Sequence, residues 1–373
     1  MPTSQAIATV FGTIFAMVFA TGIGSVIGKV IGKAAWARQQ TAKSDQLAHS
    51  EASHPIAMAN LVFANGDPMA SLGLGTWKAE AGEVGGAVGA ALELGYRHLD
   101  CASIYGNEAE IGASLGRACA TGALQRDQLW ITSKLWNDCH APEDVRPALE
   151  RSLADLGLAY LDLYLMHWPV AHRHGLMMPK EGPDQLSLEQ RPIAATWSAM
   201  EELVRSGLVR HIGVSNFSQA KLAALLAGAD LAPEVNQVER HPYLQQPELL
   251  AFCQANAIQL TAYAPLGSPP AGQTSPLLSD PVIAAIAAAH GTSAAQVLLA
   301  WGIACGTAVI PKSVHPQRLA ANLAATQLTL GASDLAQITG LDRGERFIDG
   351  SFWDLPGGPY NLANLWDEPT GGA

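Results

Sequence analysis

The sequence predicts an α/β protein: a (β/α)8 barrel of the TIM type preceded by a single N-terminal transmembrane helix. Three observations carry this. Residues 6–28 form an uninterrupted uncharged, apolar run. Residues 37–58 are polar and aperiodic. Beyond residue 59, short apolar runs alternate with amphipathic stretches eight times, which is the rhythm of repeated strand–helix units.

The apolar run contains 23 residues, ten of them Ile, Val or Phe. As a helix it would extend roughly 34 Å, enough to cross a hydrocarbon core of about 30 Å. No basic residue precedes it, which argues against a cleaved secretory signal, and it has no polar face suited to a soluble core helix. The lack of acids and the basic residues that follow keep a processed organelle leader as the alternative. Lys29, Lys33, Arg38 and Lys43 follow the run. For an anchor, they place its C-terminal side, and hence the barrel, in the cytoplasm. Ala8, Gly12, Ala16, Ala20, Gly24, Gly28 and Gly32 recur every four residues, a spacing that would allow anchor helices to self-associate. Residues 37–58 read as a flexible tether.

The barrel is expected over residues 59–373. "LVFANGDPMA" places Asn-Gly between short apolar runs, the mark of a hairpin that could close the barrel bottom. The eight strand candidates start near residues 71, 98, 129, 161, 211, 234, 259 and 307. Between them lie amphipathic segments such as "AGEVGGAVGAALELG" and "TWSAMEELVRSG".

Charge narrows the function. Residues 1–44 carry +4 and the whole chain −11, so the remainder carries −15. A body that acidic would repel nucleic-acid phosphates. The five cysteines are odd in number, widely spaced and without CxxC. They fit free thiols rather than a disulfide framework or a metal site.

Active sites of such barrels lie at the C-terminal strand ends. Asp100 and Tyr105 follow the second strand, Lys134 ends the third and His167 ends the fourth. Each alone has an ordinary structural reading: a cap, a packed aromatic, a surface charge, a core histidine. Together they place four ionisable groups where they could converge.

Eight ordered motifs resemble the aldo-keto reductases, in particular the aldose and aldehyde reductase branch. They are "GLGTWK" (73–78), "GYRHLDCASIYGNE" (95–108), "ITSKLW" (131–136), "LMHWP" (165–169), "GVSNF" (213–217), "NQVERHPYLQQ" (236–246), "YAPLGSP" (263–269) and "IPKSVHPQRLAANL" (310–323). The resemblance implies NADPH-dependent reduction of aldehydes, sugar aldehydes among them, to alcohols. It carries a catalytic tetrad onto Asp100, Tyr105, Lys134 and His167. Tyr105 would give the proton, Lys134 would lower the phenol's pKa, Asp100 would hold Lys134 charged, and His167 would orient the carbonyl.

By the same resemblance Ser215, Asn216 and Gln237 would hold the nicotinamide carboxamide, and Tyr263 would stack on its ring. Lys312, Ser313 and Arg318 match positions that hold the adenosine 2′-phosphate, and Asn322 an adenine contact. Thr76, Trp77, Leu266, Ser268 and Val314 complete the implied cofactor set. Two departures stand at the adenine end: His315 where Thr is common, and Ala321 where an acid is common. Trp77, Trp136 and Trp168 match pocket aromatics around His167. In the C-terminal tail, Phe347, Phe352 and Trp353 are expected to line the pocket. The alternative reading is an NADPH-binding regulatory subunit of a membrane protein, with little or no turnover.

Overall fold

A computed structural model of the chain describes residues 60–367 apart from 121, 123 and 271. The expected anchor (6–28), its Ala/Gly stripe and the tether (37–58) lie outside the described residues.

The chain enters through an antiparallel hairpin, β1 (Asn60–Val62) and β2 (Pro68–Ala70). Eight parallel strands follow: β3 (Leu74–Gly75), β4 (His98–Asp100), β5 (Trp130–Leu135), β6 (Leu161–Met166), β9 (Val209–Ser215), β10 (Val235–Glu239), β11 (Gln259–Tyr263) and β12 (Ala308–Val309). They pair in that order. A short antiparallel hairpin, β7 (Ala171–His172) with β8 (Gln185–Leu186), is inserted after β6. All eight strands fall within a few residues of the starts the apolar runs predict. The two amphipathic segments form the helices Val84–Leu94 and Ile193–Arg205.

The sheet closes on itself between its first and last strands. Leu72 bridges to Val309 and Gly75 to Lys312. The Gly73 amide donates to the Val309 carbonyl at 2.9 Å, and the Val309 amide to the Ser71 carbonyl at 2.8 Å. Gly75 is required at this seam, because a Cβ there would lie 2.7 Å from the Ile310 carbonyl oxygen. The second glycine of "GLGTWK" therefore serves barrel closure.

Every residue of β5, β6 and β10 is buried, as expected for strands covered on both faces. One apolar core lies between barrel and helices, with Leu99, Ile131, Tyr164, Trp197 and Val214 among its members. The N-terminal hairpin covers the barrel bottom as expected. Phe63 stacks on Trp130 at 5.0 Å and meets His211 at 4.5 Å, and both partners lie near the N-terminal ends of their strands.

The expected single-pass membrane placement is corrected on one point here. Among the described residues no single helix is long and apolar enough to cross a membrane. The apolar pair Pro281–Ala289 and Ala294–Ala304 is bent by 91°. Its Ile283, Ile286, Val297 and Leu298 are buried in a second core cluster, which accounts for their hydrophobicity.

Candidate active site

Strand register brings the four ionisable groups together. Asp100 pairs with Thr132, and Lys134 with Leu165. Side chains alternate across a strand with period two. Lys134 therefore shares a face with Thr132, and His167, two residues past Leu165, shares a face with that neighbour. Tyr105 comes from the turn Ser103–Tyr105 that follows β4.

Lys134 is wholly buried, at 0% exposure. Its Nζ donates to Asp100 Oδ2 at 2.7 Å and to the Cys101 carbonyl at 2.8 Å, and lies 3.4 Å from the Tyr105 hydroxyl. Burial would discharge the amine, but Asp100 and the phenol outweigh it and hold its pKa above the ordinary value. The other Asp100 oxygen, Oδ1, accepts from Gln237 Nε2 at 2.7 Å. The carboxylate is thus held from both sides.

Tyr105 departs from expectation in electrostatics though not in place. Burial pushes its hydroxyl up to about 12, against the pull of Lys134. The reason is local: Lys134 is already paired with Asp100, whose negative charge opposes a phenolate. Tyr105 therefore keeps its proton throughout the neutral range.

Burial, reinforced by Lys134, holds His167 well below its usual pKa, so the imidazole is neutral. Its Nδ1 has no hydrogen-bond partner among the described residues, and the ring faces the cleft. With nothing for Nδ1 to donate to, the single proton is better kept on Nε2, where it can reach a ligand. Trp136 braces the ring edge-on at 4.9 Å, and Asn216 Nδ2 donates to the His167 carbonyl at 2.9 Å.

These groups open into a cleft of about 510 Å³. Asp100, Tyr105 and His167 line it, with Lys134 buried behind them. Trp77, Trp136, Trp168 and Phe352 line it as expected. So do Ser215, Asn216, Gln237, Tyr263, Leu266, Ser268 and Lys312. Ser215 Oγ donates to the Gln237 carbonyl at 2.8 Å, and the Tyr263 hydroxyl to Asn216 Oδ1 at 2.7 Å. Asn216 is held in a left-handed backbone conformation, φ 63°, which asparagine tolerates better than most residues.

Other expected residues lie elsewhere. Thr76 is buried behind the cleft, its hydroxyl donating to the Asp100 carbonyl at 2.8 Å. Ser313, Val314, Arg318 and Asn322 lie beyond the cleft lining, after β12 and on the helix Pro316–Ala324. Arg318 and Asn322 are one turn apart on that helix. His315 is its N-cap residue and makes no side-chain capping bond. Phe347 does not line the cleft. It packs on His241 at 5.0 Å, and its amide donates to Glu239 Oε1 at 2.9 Å.

Trp353 does line the cleft, as expected. Lys78, Ile104, Met178, Pro265, Ile310 and Ile348 line it too, and these six were not anticipated. Met178 and Ile348 sit in irregular segments, where periodicity carries no signal. Lys78, Ile104, Pro265 and Ile310 lie within the family-like motifs, beside the residues to which the resemblance assigns roles.

Comparisons with known proteins bear on the family and the fold. The Aldo/keto reductase family pattern matches residues 70–343. The chain is 55% identical over 312 residues to Aldo/keto reductase slr0942 of Synechocystis sp., covering 82% of this chain and 95% of that protein. It is 44% identical over 299 residues to Aldo-keto reductase family 1 member A1 of Homo sapiens, covering 79% and 92%. Among solved structures, the aldose reductase from Schistosoma japonicum superposes with a TM-score of 0.74 at 40% identity, covering 79% of this chain and 96% of that one. The matches use up nearly the whole of these proteins and leave no room in them for a counterpart of residues 6–58. The single-pass membrane placement with a cytoplasmic barrel is therefore withdrawn.

Proposed function

This chain belongs to the aldo/keto reductase family, and from that premise we propose that it reduces aldehydes to alcohols with NADPH, Tyr105 giving the proton. The observation that carries the reading is the chain of contacts from Asp100 through Lys134 to Tyr105, which ends beside His167 in an apolar cleft.

Each side chain has a separable task. Tyr105 holds a proton at its hydroxyl through the neutral range and presents it to the carbonyl oxygen. Lys134, kept charged by Asp100, stabilises negative charge that develops on that oxygen or on the phenol. His167, neutral, donates from Nε2 to the same oxygen and fixes the approach. The indoles of Trp77, Trp136 and Trp168 exclude water around them.

The residues fit the cofactor in chemistry. Gln237 lines the cleft and its Oε1 makes no hydrogen bond among the described residues, leaving an acceptor for a carboxamide. Tyr263 offers a ring face, held in orientation by Asn216. Lys312 and Arg318 are exposed and make no ion pair among the described residues. Two such cations flanking a helix N-terminus suit a phosphate dianion. When bound, NADPH supplies the hydride.

The test is NADPH oxidation by the purified chain with glyceraldehyde or 4-nitrobenzaldehyde. Tyr105→Phe is expected to lower kcat by about 10²-fold or more and to leave NADPH affinity within about twofold. Turnover retained by Tyr105→Phe would refute the proton donor. NADPH binding without turnover across a broad aldehyde panel would refute the reductase.

A further inference from the structure

One wall of the cleft is assembled from segments far apart in the chain. Met178 belongs to the loop between β7 and β8, whereas Phe352 and Trp353 belong to the C-terminal segment. Few polar contacts join the two. The Tyr360 side chain is central to them.

Tyr360 is 5% exposed. Its hydroxyl accepts from the Ala171 amide at 2.9 Å and donates to the Leu186 carbonyl at 2.5 Å. One oxygen thus bridges both strands of the inserted hairpin. Burial pushes this hydroxyl up to about 12, so it remains a donor through the neutral range. Alongside it, Gln185 Nε2 donates to the Trp353 carbonyl at 2.8 Å. Gly182 and Gly358 meet backbone to backbone: a Cβ on Gly182 would lie 2.3 Å from the Gly358 amide nitrogen. On its other side the hairpin loop is tied to the barrel by Trp136, whose Nε1 donates to the Met177 carbonyl at 2.6 Å.

We propose that Tyr360 is a positioning residue for substrate choice: it clasps the Ala171–Leu186 hairpin to the C-terminal segment and so holds Met178, Phe352 and Trp353 as one apolar wall for large carbonyl substrates. The proposal rests on the reductase reading above. A small, hydrated aldehyde needs only the space beside Tyr105 and His167. An aromatic aldehyde also rests on the wall, and its binding depends on the wall being fixed in advance. Phenylalanine at 360 keeps the ring but removes the buried hydroxyl that ties the Ala171 amide and the Leu186 carbonyl to the C-terminal segment. The wall then loosens while the proton donor is untouched.

The experiment compares the full chain with Tyr360→Phe, using NADPH with 4-nitrobenzaldehyde and with glyceraldehyde. KM for 4-nitrobenzaldehyde should rise roughly five- to tenfold, the worth of the lost hydrogen bonds. Its kcat, and both constants for glyceraldehyde, should stay within about twofold. Unchanged KM for both substrates, or an equal rise for both, overturns the proposal. Gln185→Leu removes the bond to the Trp353 carbonyl independently and should raise KM with the same selectivity. If Tyr360→Phe does not fold, this variant decides. Wild-type protein inactive on both aldehydes would refute the reductase reading instead. The clasp is then read from quenching of tryptophan fluorescence by 4-nitrobenzaldehyde, and identical titrations for wild type and variant overturn it.

Discussion

The Asp100–Lys134 pair offers a quantitative test of how the site is built. Both side chains are almost fully buried, and their contact is 2.7 Å. Lys134→Met leaves the Asp100 carboxylate with Gln237 as its remaining side-chain donor. Breaking a buried pair by removing one partner destabilises by about 3–5 kcal/mol, because the other charge is stranded. Asp100→Asn strands the ammonium and should cost a similar ~3–5 kcal/mol. Independent effects would add to about 6–10 kcal/mol in the double variant. The geometry predicts far less. With both charges gone no ion is stranded, and the chief loss is a partner for the new amide N–H, about 1–3 kcal/mol. Asparagine at this position keeps the oxygen that accepts from Gln237. Urea denaturation followed by fluorescence of the nine tryptophans, with m-values compared, yields all four corners of the cycle. A double variant that shows the full additive loss would refute the account of the pair as one electrostatic unit. A single Lys134→Met variant as stable as wild type would refute it as well. All three variants should lose turnover, since each alters the charge behind Tyr105.

Three further outcomes follow from the geometry. His211, at the barrel bottom, lies 2.9 Å from both Asp67 of the hairpin and Glu234. Burial opposes its charge, but Glu234 and then Asp67 outweigh it and raise its pKa above 6.5. Its contribution is therefore complete below about pH 6.5 and lost as pH rises through the raised value. The difference in Tm between wild type and His211→Gln should shrink from pH 6 to pH 9, and a difference that grows would reverse the sign. Gly75→Ala should lower stability by about 1–3 kcal/mol by pushing Cβ into the Ile310 carbonyl at the seam, measured by thermal unfolding. Lys312→Met with Arg318→Met should raise KM for NADPH about tenfold or more while moving KM for NADH little. An equal change for both cofactors would remove these cations from the 2′-phosphate.

Much of the barrel was legible because its strands are covered on both faces. A buried parallel strand must be a short apolar run, as "LDLYLMHW" is, and the intervening helices must be amphipathic. The tetrad was legible for a related reason: barrel sites lie at strand ends, so Asp100, Lys134 and His167 can be placed from the strand boundaries alone. The inserted hairpin was not legible. β7 and β8 are two residues each, too short for alternation to register. Phe347 points away from the cleft, contrary to expectation, because an aromatic in a loop has no intrinsic direction. It faces His241 because Glu239 fixes its amide.

The sequence by itself determined the eight-stranded barrel, the hairpin beneath it and the identity of the four groups at the strand ends, since each depends on local pattern and motif order. Only the tertiary structure decided the ionisation of Tyr105. Its pKa depends on how much water remains around it and on whether Lys134 is already neutralised, and both are set by residues from three strands meeting. The structure likewise decided which distant segments share one wall of the cleft. Met178 and Trp353 are 175 positions apart in the sequence, and no local pattern records that Tyr360 holds their segments together.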